Sequence, residues 1–114
     1  MARAATTTDA FNAVAEPRRR EILDALARGE STVNALVERL GVAQPVVSKH
    51  LRVLREVGLV QVRDEGRQRI YRLDPGPLRA VYDWVKDYER LWEERFELLD
   101  TVLEELKDRQ EGQE

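Results

Sequence analysis

The sequence of 114 residues has no cysteine and a single histidine, His50. Without cysteine, the chain cannot form a disulfide, a thiolate zinc site, an iron–sulfur cluster or a cysteine nucleophile. No apolar run approaches the roughly 20 residues that a membrane-spanning helix needs, and the first nine residues lack the apolar core of a secretion signal. We therefore expect a soluble, cytoplasmic protein that binds no membrane.

The length corresponds to about one domain, and the charge within it is unevenly distributed. Residues 1–74 carry 13 Lys or Arg against 10 Asp or Glu, whereas residues 75–114 carry 6 against 12. Residues 44–72 are the basic part, with seven cationic and three acidic side chains. Local positive potential attracts phosphates, so this stretch indicates a polyanionic partner. A scattered ionic surface is the alternative.

Capping and helix-breaking residues predict four short helices in the first part of the chain. The first begins after Asp9, and the second has Pro17 in its first turn. The third, 33–40, and the fourth, 44–57, are separated by Gly41 and a short connection. A small residue at this turn allows the second helix of a helix-turn-helix to cross the first.

Two β-rich runs, 59–63 and 69–73, follow these helices and are separated by a loop with Gly66 at its centre. This pattern predicts a β-hairpin. The alternation of apolar residues is imperfect, which leaves the register open. The expected faces are Val60 with Val62 on one side and Tyr71 with Leu73 on the other.

Residues 78–109 contain neither Gly nor Pro, and their apolar residues recur at spacings of three and four, which predicts one long helix. Its length of about 48 Å exceeds the roughly 35 Å of a compact chain of this size. One protomer cannot cover its apolar side, so a second copy is expected to do so. A core or a small-molecule pocket between subunits is the alternative. The predicted dimer interface comprises Phe11, Val14, Trp84, Tyr88, Trp92, Phe96, Leu99 and Leu106.

The fourth helix is predicted to pack through Val47, Leu51 and Leu54, which leaves an opposite face without Asp or Glu. Gln can pair with adenine, Arg or Lys with guanine, and Ser with several base edges, so this face fits a DNA major groove. A solvated helix face is the alternative. The hairpin would lie along the phosphates as a wing, and arginines of the second helix would contact the backbone. The predicted DNA-binding residues are Gln44, Pro45, Ser48, Lys49, Arg52, Arg67, Arg69, Arg18 and Arg19.

Nothing in the sequence predicts an enzyme. His50 is expected to pack or to form a local hydrogen bond, with a phosphate or base contact as the alternative. Ser48 lies two residues away, about 200° around the helix, so these two side chains cannot form a nucleophile and base pair.

Several longer motifs resemble those of one known family. They are "FNAVAEPRRREILDAL" at 11–26, "VSKHLRVLREVGLV" at 47–60 and "EGRQRIYRL" at 65–73, with Trp84 and Trp92 further on. Together they resemble the ArsR-type (ArsR/SmtB) winged helix-turn-helix transcriptional regulators. The resemblance implies a homodimeric, operator-binding protein, usually a repressor, with 44–57 as the reading helix and 64–68 as the wing tip.

The sequence departs from the metal-sensing members of this family. Those members carry a Cys-Val-Cys-Asp-Leu stretch where this chain has Thr32-Val33-Asn34-Ala35-Leu36. Others bind zinc through His and acidic residues of the final helix, which here has Asp83 and Glu93 but no His. Zinc prefers imidazole or thiolate ligands, so we expect neither a metal site nor a cofactor. The effector, if one exists, is unknown.

The expected fold is mainly α with a small β-hairpin: a winged helix-turn-helix with a long C-terminal dimerisation helix. The expected divisions are a flexible tail at 1–8, a DNA-binding domain at 9–74, the dimerisation helix at 75–109 and a tail at 110–114. The predicted function is sequence-specific DNA binding by a homodimeric repressor at a palindromic operator. The alternative is a protein interaction module that docks through its long C-terminal helix and binds no DNA.

Overall fold

The structure is a computed structural model that describes residues 9–112. The tail expected at 1–8 and the last two residues of the tail expected at 110–114 lie outside this range. The described elements are α1 (Ala10–Ala15), α2 (Pro17–Ala27), α3 (Val33–Leu40), α4 (Gln44–Glu56), β1 (Val60–Glu65), β2 (Gln68–Leu73), α5 (Leu78–Lys86) and α6 (Glu89–Gly112).

Side-chain caps and glycine set the bounds of the first helices. The Asp9 carboxylate accepts a 2.8 Å hydrogen bond from the backbone nitrogen of Asn12, which starts α1. The Thr32 hydroxyl accepts one of 3.2 Å from the backbone nitrogen of Ala35, which starts α3. At the end of α3, Gly41 adopts a left-handed conformation with φ 65°, and α4 begins after a short turn. The predicted helix-turn-helix is therefore confirmed.

The hydrophobic core lies where α2, α3 and α4 meet the hairpin. Its largest fully buried side chains are Ile22, Leu36, Val47, Leu51, Leu54, Leu59 and Val60. Three of these, Val47, Leu51 and Leu54, form the predicted inward face of α4. This packing holds α4 by one side and leaves its opposite side facing outward.

The faces of the hairpin differ from the expected ones. Val60 pairs with Leu73 and Val62 with Tyr71, so all four side chains lie on one face of the hairpin. Where a loop of five residues was expected, the structure has a two-residue turn at Gly66 and Arg67, because β1 extends to Glu65 and β2 starts at Gln68. Loop length fixes the register of a hairpin, and the shorter turn explains the difference.

The hairpin is tied to the loop that precedes α3. The backbone nitrogen of Ser31 donates a 2.9 Å hydrogen bond to the carbonyl of Tyr71, and Tyr71 returns one of 2.8 Å. Ser31 thus forms an antiparallel bridge along the outer side of β2. This bridge anchors the hairpin at Tyr71.

The prediction of one unbroken C-terminal helix is wrong, because a turn at Asp87 and Tyr88 separates α5 from α6. The Tyr88 nitrogen bonds the carbonyl of Val85, three residues back, which tightens and ends α5. The rings of Trp84 and Tyr88 lie edge to face across this turn, with centroids 5.5 Å apart, and stabilise it. The second helix continues to Gly112, so residues 110–112 are helical where a tail was expected.

The chain divides into two units at Val81 and Tyr82, later than the expected boundary after residue 74. No residue of α5 or α6 is buried within the described part of the chain. Among the helices of residues 9–112, none is long and apolar enough to cross a membrane.

Candidate nucleic-acid interface

The outward face of α4 brings together the residues predicted to read bases. Gln44, Pro45, Lys49 and Arg52 are exposed, and Ser48 is half-buried. The Gln44 side-chain nitrogen donates a 3.1 Å hydrogen bond to the Ser48 hydroxyl, one turn further along the helix. These side chains thus form one polar and cationic face opposite the buried apolar residues of α4.

The N-terminus of α4 lies at the start of this face, where the backbone nitrogens of Val46 and Val47 donate to the carbonyl of Ala43. Ala43 precedes the helix and has no side-chain oxygen to cap it. Pro45 lies in the first turn and has no N–H. The exposed helix N-terminus is therefore available to a phosphate, which the helix dipole attracts.

A cleft of about 280 Å³ lies between α4 and β2, and three arginines line it. Arg52 and Arg55 come from α4 and Arg69 from β2, with Ser48, Leu51 and Tyr71 as the other lining residues. The sequence prediction did not include Arg55. Its position three residues after Arg52 places both on the same side of the helix, so helical spacing would have revealed it.

The wing tip carries a further cationic residue. Arg67 lies in the two-residue turn, is exposed, and forms no ion pair within the part of the chain that the structure describes. Arg67, Gln68 and Arg69 face Thr32, Val33 and Asn34 across a second cleft of about 310 Å³. Arg69 also lies 3.3 Å from Asp64, a pair so exposed that a phosphate could displace the carboxylate.

Arg63 of β1 does not face the same clefts. Its guanidinium donates two hydrogen bonds of 2.7 and 2.6 Å to the Glu30 carboxylate and contacts Glu65 at 3.0 Å. The hydrogen bonds from Arg63 lower the pKa of Glu30, and those to Glu30 and Glu65 raise the pKa of Arg63. The charge of Arg63 is therefore balanced within the protein.

The arginines that open α2 are also engaged. Arg18 lies 2.7 Å from Glu21, and both side chains are well exposed. Arg19 donates to the carbonyls of Ala13 and Asn12 at 2.7 and 3.0 Å, at the end of α1. Phosphate contacts by Arg18 and Arg19 remain predictions, and in this structure both guanidinium groups have protein partners.

His50 lies on the flank of α4 and is half-buried. Its Nδ1 atom is buried and has no hydrogen-bond partner within the part of the chain that the structure describes. Burial is the main cause that lowers the pKa of His50, and the charge of Arg19 lowers the pKa further, whereas the charge of Glu16 raises it. His50 is therefore neutral near pH 7.

No three His, Asp or Glu side chains of residues 9–112 come together in a group that could hold a metal ion. In the stretch 32–36, which the resemblance matches to the thiolate ligands of metal-sensing proteins, the Thr32 hydroxyl caps α3. Its Leu36 is fully buried in the core.

The predicted dimer residues differ in exposure. Val14 packs partly buried against the core of its own domain. The aromatic and aliphatic side chains of the other predicted positions are exposed by 41% to 63%: Phe11, Trp84, Tyr88, Trp92, Phe96, Leu99 and Leu106. Four further exposed apolar residues of α6 were not among the predicted interface positions: Leu91, Leu98, Val102 and Leu103.

Comparison with known proteins gives consistent matches. Residues 16–62 match the family model described as "Bacterial regulatory protein, arsR family". The chain is 41% identical over 83 residues to the HTH-type transcriptional regulator Rv2034 of Mycobacterium tuberculosis, which covers 73% of this chain and 75% of that protein. It is 28% identical over 78 residues to the transcriptional repressor SdpR of Bacillus subtilis, covering 68% and 87% of the two chains.

Solved structures agree with these matches. An ArsR-like transcriptional regulator from Rhodococcus sp. RHA1 is similar with a TM-score of 0.67 and 28% identity, covering 88% of this chain and 92% of that one. A possible transcriptional regulator for arsenical resistance is 44% identical with a TM-score of 0.61, covering 72% and 91%. Both structures share the helix-turn-helix and hairpin arrangement described above.

Proposed function

Because the chain belongs to the ArsR family of bacterial regulatory proteins, which are DNA-binding transcriptional regulators and not enzymes, we propose that it is a homodimeric repressor of a palindromic operator. In this proposal residues 9–74 bind DNA, with α4 in the major groove and the hairpin as a wing. The C-terminal helices hold the two copies together.

The observation that carries the proposal is the two-sided character of α4. Leu51 and Leu54 are at most 1% exposed and fix the helix to the core, whereas Lys49 and Arg52 extend from the opposite side. A rigid helix with short polar and cationic side chains can enter a groove about 12 Å wide without rearrangement. The same helix contains no acidic residue before Glu56, at its last position, so no carboxylate is placed against the bases.

The arginine-lined cleft beside α4 suits the DNA backbone. Arg52, Arg55 and Arg69 bring three cationic groups to one opening, and a phosphate there would be contacted from both the helix and the wing. Contacts of this kind fix the register of α4 on the duplex while carrying no sequence information. Base selection is assigned to Gln44, Ser48, Lys49 and Arg52, and backbone contacts to the cleft and to Arg67.

Dimer formation is supported by the surface of α6. Its apolar residues extend around the helix from Phe96 to Leu98, an arc of about 160° at 3.6 residues per turn. The large apolar side chains from Leu91 to Leu106 are each between 43% and 65% exposed in the single chain. An arc of this width is broader than the seam between two coiled helices, so it needs more than one neighbouring helix. A second copy, which supplies its own α5 and α6, would cover the apolar arc.

Two-fold symmetry of the dimer would present two copies of α4 to one face of the duplex. Their half-sites would then lie about one helical turn, roughly 34 Å, or a multiple of it apart. The operator is accordingly expected to be palindromic. Binding at a promoter would compete with polymerase, which gives repression.

The proposal is tested by selecting duplexes from a random pool with the purified full-length protein and measuring the mass of the resulting complex. The expected result is an enriched palindrome bound by two copies, with affinity that falls steeply with salt. If no duplex binds even at low salt, and the protein instead forms a heteromer, the interaction module that docks through α6 would be the better account.

A further inference from the structure

Arg63 and Glu30 form the shortest ion pair that involves the hairpin within the described residues, although they are 33 residues apart in sequence. We propose that Glu30 and Arg63 are a positioning pair that fixes the orientation of the wing, β1 with β2, and that Arg63 is not one of its DNA contacts. The inference rests on the proposed function, because a wing needs a fixed orientation only if it docks on DNA.

The first step concerns how the wing is attached. The backbone bonds between Ser31 and Tyr71 anchor β2 near its middle. From Tyr71 to the turn at Arg67 the strand continues for about 13 Å at 3.3 Å per residue. Over that distance no backbone hydrogen bond joins the hairpin to a helix within residues 9–112. The outer half of the wing therefore depends on side chains for its orientation.

The second step concerns which side chains can hold it. Arg63 pairs with Ile70 in the hairpin register, so its side chain lies on the face opposite Val62 and Tyr71. From there it reaches across β2 to Glu30, in the loop that holds Ser31. Core packing contacts one face of the hairpin, and the ion pair holds the other. The wing is thus fixed from both faces.

The third step concerns the donors of the guanidinium. Nη1 and Nη2 each bond one oxygen of Glu30, and Nε and Nη2 contact Glu65 at 3.3 and 3.0 Å. These contacts use four of the five N–H groups of an arginine. Glu30 and Glu65 together balance the charge of Arg63, and their contacts occupy most of its donors. Arg63 therefore acts through the position of the wing.

The proposal predicts an unusual direction for the change in DNA affinity when an acidic residue is removed. Removing an acidic residue from a DNA-binding domain ordinarily strengthens binding, because the net repulsion of phosphates falls. If Glu30 orients the wing, Glu30→Gln should instead weaken binding. A neutral control is available in Glu38→Gln, since Glu38 is exposed on α3 and forms no ion pair within the described residues.

The experiment measures affinity for the selected duplex at several salt concentrations for wild type, Glu30→Gln, Arg63→Gln, Glu38→Gln and the charge swap Glu30→Arg with Arg63→Glu. We expect Glu30→Gln and Arg63→Gln each to weaken binding about two- to fivefold, the range of exposed ion pairs. Their salt dependence should equal that of wild type, Glu38→Gln should bind at least as tightly as wild type, and the swap should recover part of the loss. Thermal unfolding of each variant checks that it is folded.

Some outcomes would overturn the proposal. If Glu30→Gln binds as tightly as wild type or tighter, Glu30 does not orient the wing. If Arg63→Gln lowers the salt slope by about one, Arg63 touches phosphate directly. Protected Nη–H resonances of Arg63 in the free protein, lost in Glu30→Gln, would show the pair in solution, and their absence from wild type would refute it. Failure of wild type to bind any duplex would remove the proposed function itself, whereas binding that is insensitive to Glu30 removes only the positioning role.

Discussion

The guanidinium Nε of Arg19 donates a 2.7 Å hydrogen bond to the backbone carbonyl of Ala13, in the last turn of α1. A second bond from its Nη2 reaches the carbonyl of Asn12 at 3.0 Å. Both carbonyls lie near the C-terminal end of α1, where they have no acceptor role within the helix. Arg19, at the start of α2, thus caps the helix before it and fixes the angle between the two.

We expect Arg19→Ala to destabilise the fold, because the substitution removes the charged donor from two carbonyls, of which that of Ala13 is partly buried. The loss should be about 1 to 3 kcal/mol. Arg18→Ala is the matched control, since its pair with Glu21 is exposed and should contribute at most about 1 kcal/mol. Urea unfolding of both variants measures the difference, and equal stabilities would contradict a capping role for Arg19.

The base-reading and backbone roles proposed for α4 and the wing predict different responses to substitution. Arg52→Ala or Gln44→Ala should cost about 1 to 3 kcal/mol on the selected duplex and relax the preference at one base pair. Arg67→Ala should weaken binding to all duplexes similarly and lower the salt slope by about one. Gel-shift titrations on selected and random duplexes at two salt concentrations make this comparison. Equal losses on both duplexes for Gln44→Ala would argue against base reading.

The elements that sequence reasoning predicted well depend on local signals. The face of α4 follows from helical periodicity, since Val47, Leu51 and Leu54 repeat at spacings of four and three, and the structure buries all three. The start of α1 follows from the capping residue Asp9, whereas the structure shows that Thr32 caps α3. These features need no knowledge of distant parts of the chain.

The features that the sequence could not predict depend on contacts between distant residues or on turns that contain no Gly or Pro. The contact of Arg63 with Glu30 spans 33 residues, so a count of charges along the chain could not show that the two side chains are paired. The turn between α5 and α6 contains neither Gly nor Pro, and the apolar spacing continues through Tyr88. A ring contact between Trp84 and Tyr88 accompanies that turn, and it becomes visible only in three dimensions.

The apolar arc of α6 predicts that a charge within it will separate the protomers. Leu99 is 55% exposed in the single chain and lies near the middle of the arc. Leu99→Glu would bury a carboxylate at the proposed interface, which is costly, so we expect a monomer at concentrations where wild type is a dimer. Sedimentation measures the mass, and DNA affinity should fall with the loss of the second copy of α4.

A matched control for this variant lies on the other side of the same helix. Thr101 is exposed, and at 100° per residue it lies outside the apolar arc. Thr101→Glu adds the same charge, and we expect it to leave the dimer intact. Monomers from both variants would indicate that net charge, and not the apolar arc, controls association. A dimer of Leu99→Glu would show that α6 is not the interface.

The buried Nδ1 atom of His50 predicts how stability depends on pH. Burial, followed by the charges of Arg19, Lys49 and Arg18 that together outweigh Glu16, lowers the pKa of His50 below its ordinary value of 6.5. As pH falls through 6.5, the folded protein therefore binds fewer protons at His50 than the unfolded chain does. The contribution of neutral His50 to the free energy of unfolding is complete above that pH and declines below it. His50→Gln removes the titration, and its free energy of unfolding should decrease less than that of wild type between pH 7.5 and about 5.5. Urea unfolding of both proteins in the same buffers measures this, since the carboxylates that also titrate are common to the two. Parallel pH dependences would show that His50 is solvated in both states and that its partial burial has no effect on protonation.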